Sequence, residues 1–224
     1  NFKHNKGKGI VGCDIGTQTI AYTTETKAGL KNLAERGSSI EVNERKERLI
    51  YRAMDRSRRA MNPDNYNEDG TIKKGKKTWT YSNRYKKLRT KHTELCRINA
   101  TNRHLSINED VNELRSLGDV FVTEPKNAKK LQKRAKTGKR KKRFGRSIKN
   151  RCPGYFQSQA KRKFRIYVEV PNDYKASQYD HTSDTYIKKS LSQRMYRLSD
   201  GTMVQRDLYS SFLLYCIDLN TNKI

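Results

Sequence analysis

Apolar residues fall in two short runs across residues 9–25, broken at Gly16-Thr17, and the pattern predicts a strand, a tight turn and a second strand through Ile20, Ala21 and Tyr22. Gly29 to Leu33 suits a third strand. From Ile40 the period lengthens to that of a helix, with Leu49, Ile50, Ala53 and Met54 on one face, ending before Asn62-Pro63. Residues 62–77, rich in Pro, Asn, Asp, Gly and Lys, read as a polar connection. Ser82 is a plausible N-cap for a second helix. Along it, Tyr85, Leu88, Leu95, Ile98 and Leu105 form a seam suited to a partner helix, extended by Val111, Leu114 and Leu117. Gly118 is placed to stop it.

Val120-Phe121-Val122 predicts a short buried strand ending at Glu124, and Ile166 to Val170 another. Residues 174–200 are polar and aromatic without clear period. Leu208, Ser211, Phe212, Tyr215 and Leu219 step as a final helix whose first turn carries Asp207. No internal repeat is evident.

Charge changes the picture. The 224 residues carry 50 Lys and Arg against 23 Asp and Glu, a net charge of +27, and only 33% of them are hydrophobic. One large domain, or one domain with insertions, fits that length, around a modest core. So large an excess penalises compaction unless counter-charge is present, and nucleic acid is the partner that supplies it. A membrane surface is the weaker alternative, since there is neither a long apolar stretch nor a signal-like start. Residues 126–149 hold thirteen Lys or Arg and no acid. Alone such a run is extended or disordered, either a solvated loop or a nucleic-acid contact. Lys139, Arg140, Lys141, Lys142, Arg143 and Arg146 within it and Arg151 just beyond are candidate phosphate contacts, with Arg84 and Arg206 elsewhere.

Cys13, Cys96, Cys152 and Cys216 are scattered without a C-x-x-C pair, which argues against a zinc ribbon and against a secreted disulfide framework. Reduced thiols in a cytoplasmic, prokaryotic protein are expected. The first residue is Asn and strand-like sequence begins almost at once, so the chain reads as a piece of something longer.

Three carboxylates stand at element ends: Asp14 in Gly12-Cys13-Asp14-Ile15-Gly16, Glu124 in Phe121-Val122-Thr123-Glu124-Pro125, and Asp207 in Gln205-Arg206-Asp207-Leu208-Tyr209-Ser210. Cleaving a phosphodiester needs an activated water and stabilised charge on the attacking and leaving oxygens, which two divalent ions provide. Magnesium takes hard oxygen ligands, so several carboxylates must converge from rigid elements. The glycines beside Asp14 are read as leaving room for a phosphate. Each acid also has a bland reading: a turn, a solvent-facing strand end, a helix N-terminus. Trp79, near Tyr81, Arg84 and Tyr85, suits a packing anchor or a base-stacking platform. Arg206, Lys188, Lys189 and Arg194 are either phosphate contacts or plain surface cations.

The order of these segments, with Val11 to Ala21, Val122-Thr123-Glu124-Pro125, Ala176-Ser177-Gln178-Tyr179-Asp180-His181, Lys188 to Arg194 and Gln205 to Ser210, resembles the RuvC nuclease half of TnpB transposon proteins and miniature type V CRISPR nucleases. The resemblance implies an α/β, ribonuclease-H-like fold. Its nuclease core would be split into three segments, residues 1–37, 119–173 and 207–224, with a helical insertion at 38–118 and a target-loading module at 174–206. It implies an RNA-guided, magnesium-dependent DNA endonuclease in which Asp14, Glu124 and Asp207 hold two Mg²⁺. Its partners would be guide RNA and target DNA, together with a recognition half or a second copy supplied from outside this chain. The family's loading module is often built on a four-Cys zinc ribbon, whereas residues 174–206 contain no cysteine. Asp180, His181 and Asp184 are too few and too hard to replace thiolates. No zinc is therefore expected, with the module either reduced or held by aromatic packing of Tyr174, Tyr179 and Tyr186. A guide-dependent DNA-binding protein without cleavage and a generic basic RNA-binding protein are the alternatives.

Overall fold

The structure, a computed structural model, describes residues 6–33, 38–127, 145–171, 174–190 and 192–219, with the backbone alone for 38–42 and 145–147. The chain divides into two compact units, one of residues 1–36 and 104–224, the other of residues 37–103.

In the first unit, β-branched and aromatic residues near the start give β1 (Ile10–Ile15) and β2 (Thr19–Thr23), an antiparallel pair, with β3 (Ala28–Asn32) antiparallel beyond β2. On the other side of β1 lie β4 (Val120–Thr123) and β5 (Ile166–Glu169), both parallel to it, giving the sheet order β3-β2-β1-β4-β5. The unit is therefore α/β with a mixed sheet. Because β1 is central, both of its faces are covered. Val11, Cys13 and Ile15 enter one cluster with Ile107, Val111, Leu114, Phe121, Phe156 and Ala160. Val120 and Val122 enter a second with Tyr174, Leu213, Leu214 and Ile217.

The helices follow from these faces. Of α2 (Asn83–Leu117), the residues from His104 onward belong to the sheet unit, where Ile107, Val111 and Leu114 are buried. The expected insertion 38–118 thus ends earlier as a unit, at Arg103. Gly118 follows the helix as expected but for a different reason. It does not adopt a left-handed backbone; a Cβ there would stand 2.6 Å from the Gly9 carbonyl oxygen and 2.8 Å from Val11 Cγ2. Lys31 on β3 pairs with the fully buried Asp110 at 3.1 Å and holds α2 to the sheet edge.

Two helices were not expected. The end of the basic run forms α3 (Gly145–Arg151), with Ile148 buried, and Pro153 at the first position opens α4 (Pro153–Lys163). Phe156, Ala160 and Phe164 face the core at helical spacing, while Lys161, Arg162 and Lys163 sit in the last turn, where the dipole favours cations. The final helix, α5 (Arg206–Cys216), is rotated relative to the expected stripe: Tyr209, Ser210, Ser211, Leu213 and Leu214 are buried and Phe212 is 39% exposed. Small Ser210 and Ser211 let the helix lie close on the sheet.

Residues 174–206, of which 174–200 show no clear period in sequence, hold a short 3₁₀ turn (Ala176–Gln178) and two hairpins, β6 (Tyr179–Asp180) with β7 (Thr185–Tyr186) and β8 (Met195–Arg197) with β9 (Met203–Gln205). Tyr179 and Tyr186 do pack together, with ring centroids 5.1 Å apart. The stronger tie is Asp180, 1% exposed. One carboxylate oxygen accepts from Thr182 N–H and Oγ1, the other from Ser199 N–H and Oγ, joining the two hairpins. Burial opposes its ionisation, but these bonds outweigh it and hold the carboxyl far below the usual range.

In the second unit, α1 (Ser38–Met61) buries Met54 and half-buries Ile50 and Ala53, while Leu49 is 56% exposed and lies off that face. Ser82 caps α2 through its Oγ, which accepts from Tyr85 N–H at 3.1 Å. Tyr85, Leu88, Leu95 and Ile98 are half-buried as the seam predicts, but Leu105 is 56% exposed. Trp79 is a packing anchor, edge-on to Tyr66 and under the Arg58 guanidinium at 5.2 Å. No described helix is long and apolar enough to cross a membrane.

Candidate active site

The alternation of strands brings the three carboxylates together. On β1, Gly12 faces α5, so Asp14, two residues on, leaves by the same face. On β4, Val122 belongs to the cluster against α5, so Glu124 also leaves by that face. The strands are parallel with Gly12 beside Val122 and Cys13 beside Thr123, which puts Asp14 and Glu124 next to each other just beyond the last paired residues. Asp207 enters from above, in the first turn of α5. All three line one cleft of about 230 Å³, together with the Gly16–Thr19 turn, Lys126, and Ser177, Gln178, Lys189, Arg194 and Arg206.

Gly12 makes this approach possible. A Cβ at that position would stand 2.3 Å from Tyr215 N and 2.4 Å from the Ser211 carbonyl oxygen, so the α5 backbone rests directly on β1. The space beside Gly12, expected to admit a phosphate, is filled by helix. Gly16 likewise serves its turn: its N–H donates to the Thr19 carbonyl at 2.9 Å, and a Cβ would meet that oxygen.

Each carboxylate has protein partners. Asp14 accepts from Lys126 Nζ at 2.6 Å, and the same ammonium donates to the Ile15 carbonyl. Asp207, buried, accepts from Thr19 Oγ1 at 3.2 Å, from Arg194 at 3.0 Å and from the Arg206 guanidinium through Nε and Nη2 at 3.1 and 3.0 Å. Glu124 accepts from Ala176 N–H at 3.0 Å. Burial raises the Glu124 carboxyl above its ordinary value and the negative charge of Asp14 raises it further, against the opposing influence of Lys126 and the Ala176 N–H. A cluster of acids that raises the affinity of one member for a proton favours any other cation in the same place. Lys126, Arg194 and Arg206 already supply positive charge there. The donors are hard oxygens, and they fit magnesium.

Lys189 completes the cationic wall. Its side chain lies over the Tyr196 ring at 3.5 Å from the centroid, and burial lowers its pKa. Arg206, read from sequence as either a phosphate contact or a plain surface residue, is instead bound to Asp207 and only 14% exposed at its side chain. Arg151 donates to the Thr17 carbonyl at 3.2 Å, bracing the turn. Arg84 lies in the other unit and is exposed. Lys139, Arg140, Lys141, Lys142 and Arg143 lie outside the described residues, as does the side chain of Arg146. Thr19 and Lys126 were not singled out from sequence: Thr19 meets a partner 188 positions away, and Lys126 is hidden among thirteen similar residues.

No family model and no curated protein matches the chain.

Proposed function

We propose that the chain is the ribonuclease-H-like, RuvC-type nuclease half of an RNA-guided DNA endonuclease of the TnpB and miniature type V kind. The observation that carries this reading is the convergence of Asp14, Glu124 and Asp207, from two parallel strands and a helix N-terminus, on one cleft walled by cations. The sheet order β3-β2-β1-β4-β5, antiparallel then parallel about β1, supports the proposed fold.

Asp14, Glu124 and Asp207 are the residues to hold the divalent ions. When bound, such ions activate water and stabilise charge on the attacking and leaving oxygens. The chain's own groups do the rest. Lys189 and Arg194, from the 174–206 segment, face the cleft to neutralise a backbone phosphate. Thr19 and the Arg206 fork fix the Asp207 carboxylate in place. Lys126 balances the charge of Asp14, and a metal held there would take over that role.

The test is cleavage of target DNA by the chain assembled with its guide RNA and recognition half, in Mg²⁺. Asp14→Ala should abolish cleavage and leave DNA binding intact. Wild-type chain that binds but never cuts in Mg²⁺ would overturn the nuclease reading in favour of a binding protein.

A further inference from the structure

Away from the cleft, in the helical unit of residues 37–103, three side chains of different chemistry meet between α1 and α2. His92 and Cys96 are four residues apart on α2 and so share a face, while Glu47 reaches across from α1. Cys96 Sγ lies 3.6 Å from Glu47 Oε1 and 3.8 Å from His92 Nε2, and His92 Nε2 lies 3.6 Å from Glu47 Oε1. With zinc–sulfur bonds of about 2.3 Å and zinc–nitrogen or zinc–oxygen bonds of about 2.0–2.1 Å, the edges of a tetrahedral site are about 3.3–3.6 Å long. The three ligand atoms stand within a few tenths of an ångström of that triangle; Cys96 Sγ is almost as near to His92 Nδ1, at 3.9 Å, as to Nε2, so a turn of the imidazole is what aims a ring nitrogen at an ion.

The trio is framed on both sides. One turn along, Asn43 Nδ2 donates to Asn99 Oδ1 at 2.9 Å, with Asn99 only 3% exposed, which fixes the register of the two helices. One turn the other way, the Tyr51 ring lies 6.0 Å from the His92 ring. All three ligand residues are half-buried.

We propose that Glu47, His92 and Cys96 bind a zinc ion that clips α1 to α2. Thiolate with imidazole selects a soft or borderline metal and disfavours magnesium. The Glu47 carboxylate and the Cys96 thiolate together neutralise a dication, so the basic character of the chain does not oppose the site. The Cys96 proton passes to solvent as the sulfur–zinc bond forms. Three protein ligands leave the fourth position to water. The proposal departs from the sequence-based expectation of no zinc, which rested on the missing C-x-x-C pair and the cysteine-free 174–206 segment and did not foresee a trio that folding assembles from two helices. The proposal is independent of the nuclease reading.

Cobalt is the probe, because a sulfur-to-cobalt charge-transfer band arises only where a thiolate ligates and the carboxylate cleft has none. The metal-stripped chain titrated with Co²⁺ should develop that band, with zinc displacing it at one equivalent. Cys96→Ser should abolish the band and Cys216→Ser should leave it. Glu47→Gln and His92→Ala should weaken zinc binding by more than the roughly 10–100-fold that loss of an outer-shell partner costs. Circular dichroism of metal-free Cys96→Ser, expected to match wild type, separates a lost ligand from a lost fold. A band that never appears, or one that survives Cys96→Ser, would overturn the proposal and leave a hydrogen-bonded trio without metal.

Discussion

Glu124 is where function and stability pull in opposite directions. Its carboxyl is raised above the ordinary value by burial and by Asp14, so ionising it costs the folded state more than the unfolded chain. A raised carboxyl gives its stability at low pH, where both states are protonated, and loses it as pH climbs through the folded value. Glu124→Gln keeps the oxygen that accepts from Ala176 N–H and removes the charge. The metal-free variant should therefore melt higher than wild type at pH 7, with the difference vanishing at low pH, while cleavage is lost. A lower melting temperature across the whole pH range would count against this account. Asp180 has the opposite sign, with stability present above the ordinary carboxyl range and lost only in strong acid. Asp180→Asn places an amide where four donors converge, and should cost about 2–3 kcal/mol in denaturant unfolding.

At the level of elements, the contact of α5 with β1 depends on one missing side chain. Gly12→Ala would drive a methyl into the backbone of Ser211 and Tyr215, neither of which can yield without moving the helix. Overpacking usually costs about 1–3 kcal/mol, and against backbone the upper end applies. The same displacement moves Asp207, so cleavage should fall further than stability does. Equal loss of activity and folded protein would argue against this coupling. The elements that were legible in sequence had strong local signals: the Gly16-Thr17 turn, the Ser82 cap, the apolar run before Glu124. α4 was missed because Lys161-Arg162-Lys163 masks the spacing of Phe156, Ala160 and Phe164. The hairpins of 174–206 were missed because strands of two or three residues show no period. Leu49, Leu105 and Phe212 misled because a helical stripe read from hydrophobicity alone does not say which neighbour covers it.

For the whole molecule, charge would set the terms on which the proposed nucleic-acid partner binds. With a net charge of +27, affinity for nucleic acid should fall steeply with salt, with a log–log slope of about −0.7 per single-strand phosphate neutralised. Replacing Lys139, Arg140, Lys141, Lys142 and Arg143 together by Gln should flatten that slope, as measured by fluorescence anisotropy on single-stranded DNA. An unchanged slope would place the phosphate contacts elsewhere. The candidate site was legible as three acids in order, because each marks an element end. Of its cations, Lys189, Arg194 and Arg206 were named as candidates without a reason to prefer them to surface charges, and Lys126 was not, since nothing along the chain distinguishes it from its basic neighbours until folding selects it.

The hairpin β8–β9 runs into α5 without a linker: Gln205 ends the strand and caps the helix through Oε1, which accepts from Leu208 N–H at 2.6 Å. Arg194, just before β8, accepts from Arg206 N–H across the open end of the same hairpin and grips Asp207 from the neighbouring strand. A ligand seated on this hairpin therefore has a short mechanical lever on one carboxylate, tied to both strands, and none of comparable directness on Asp14, which is anchored in the middle of the sheet.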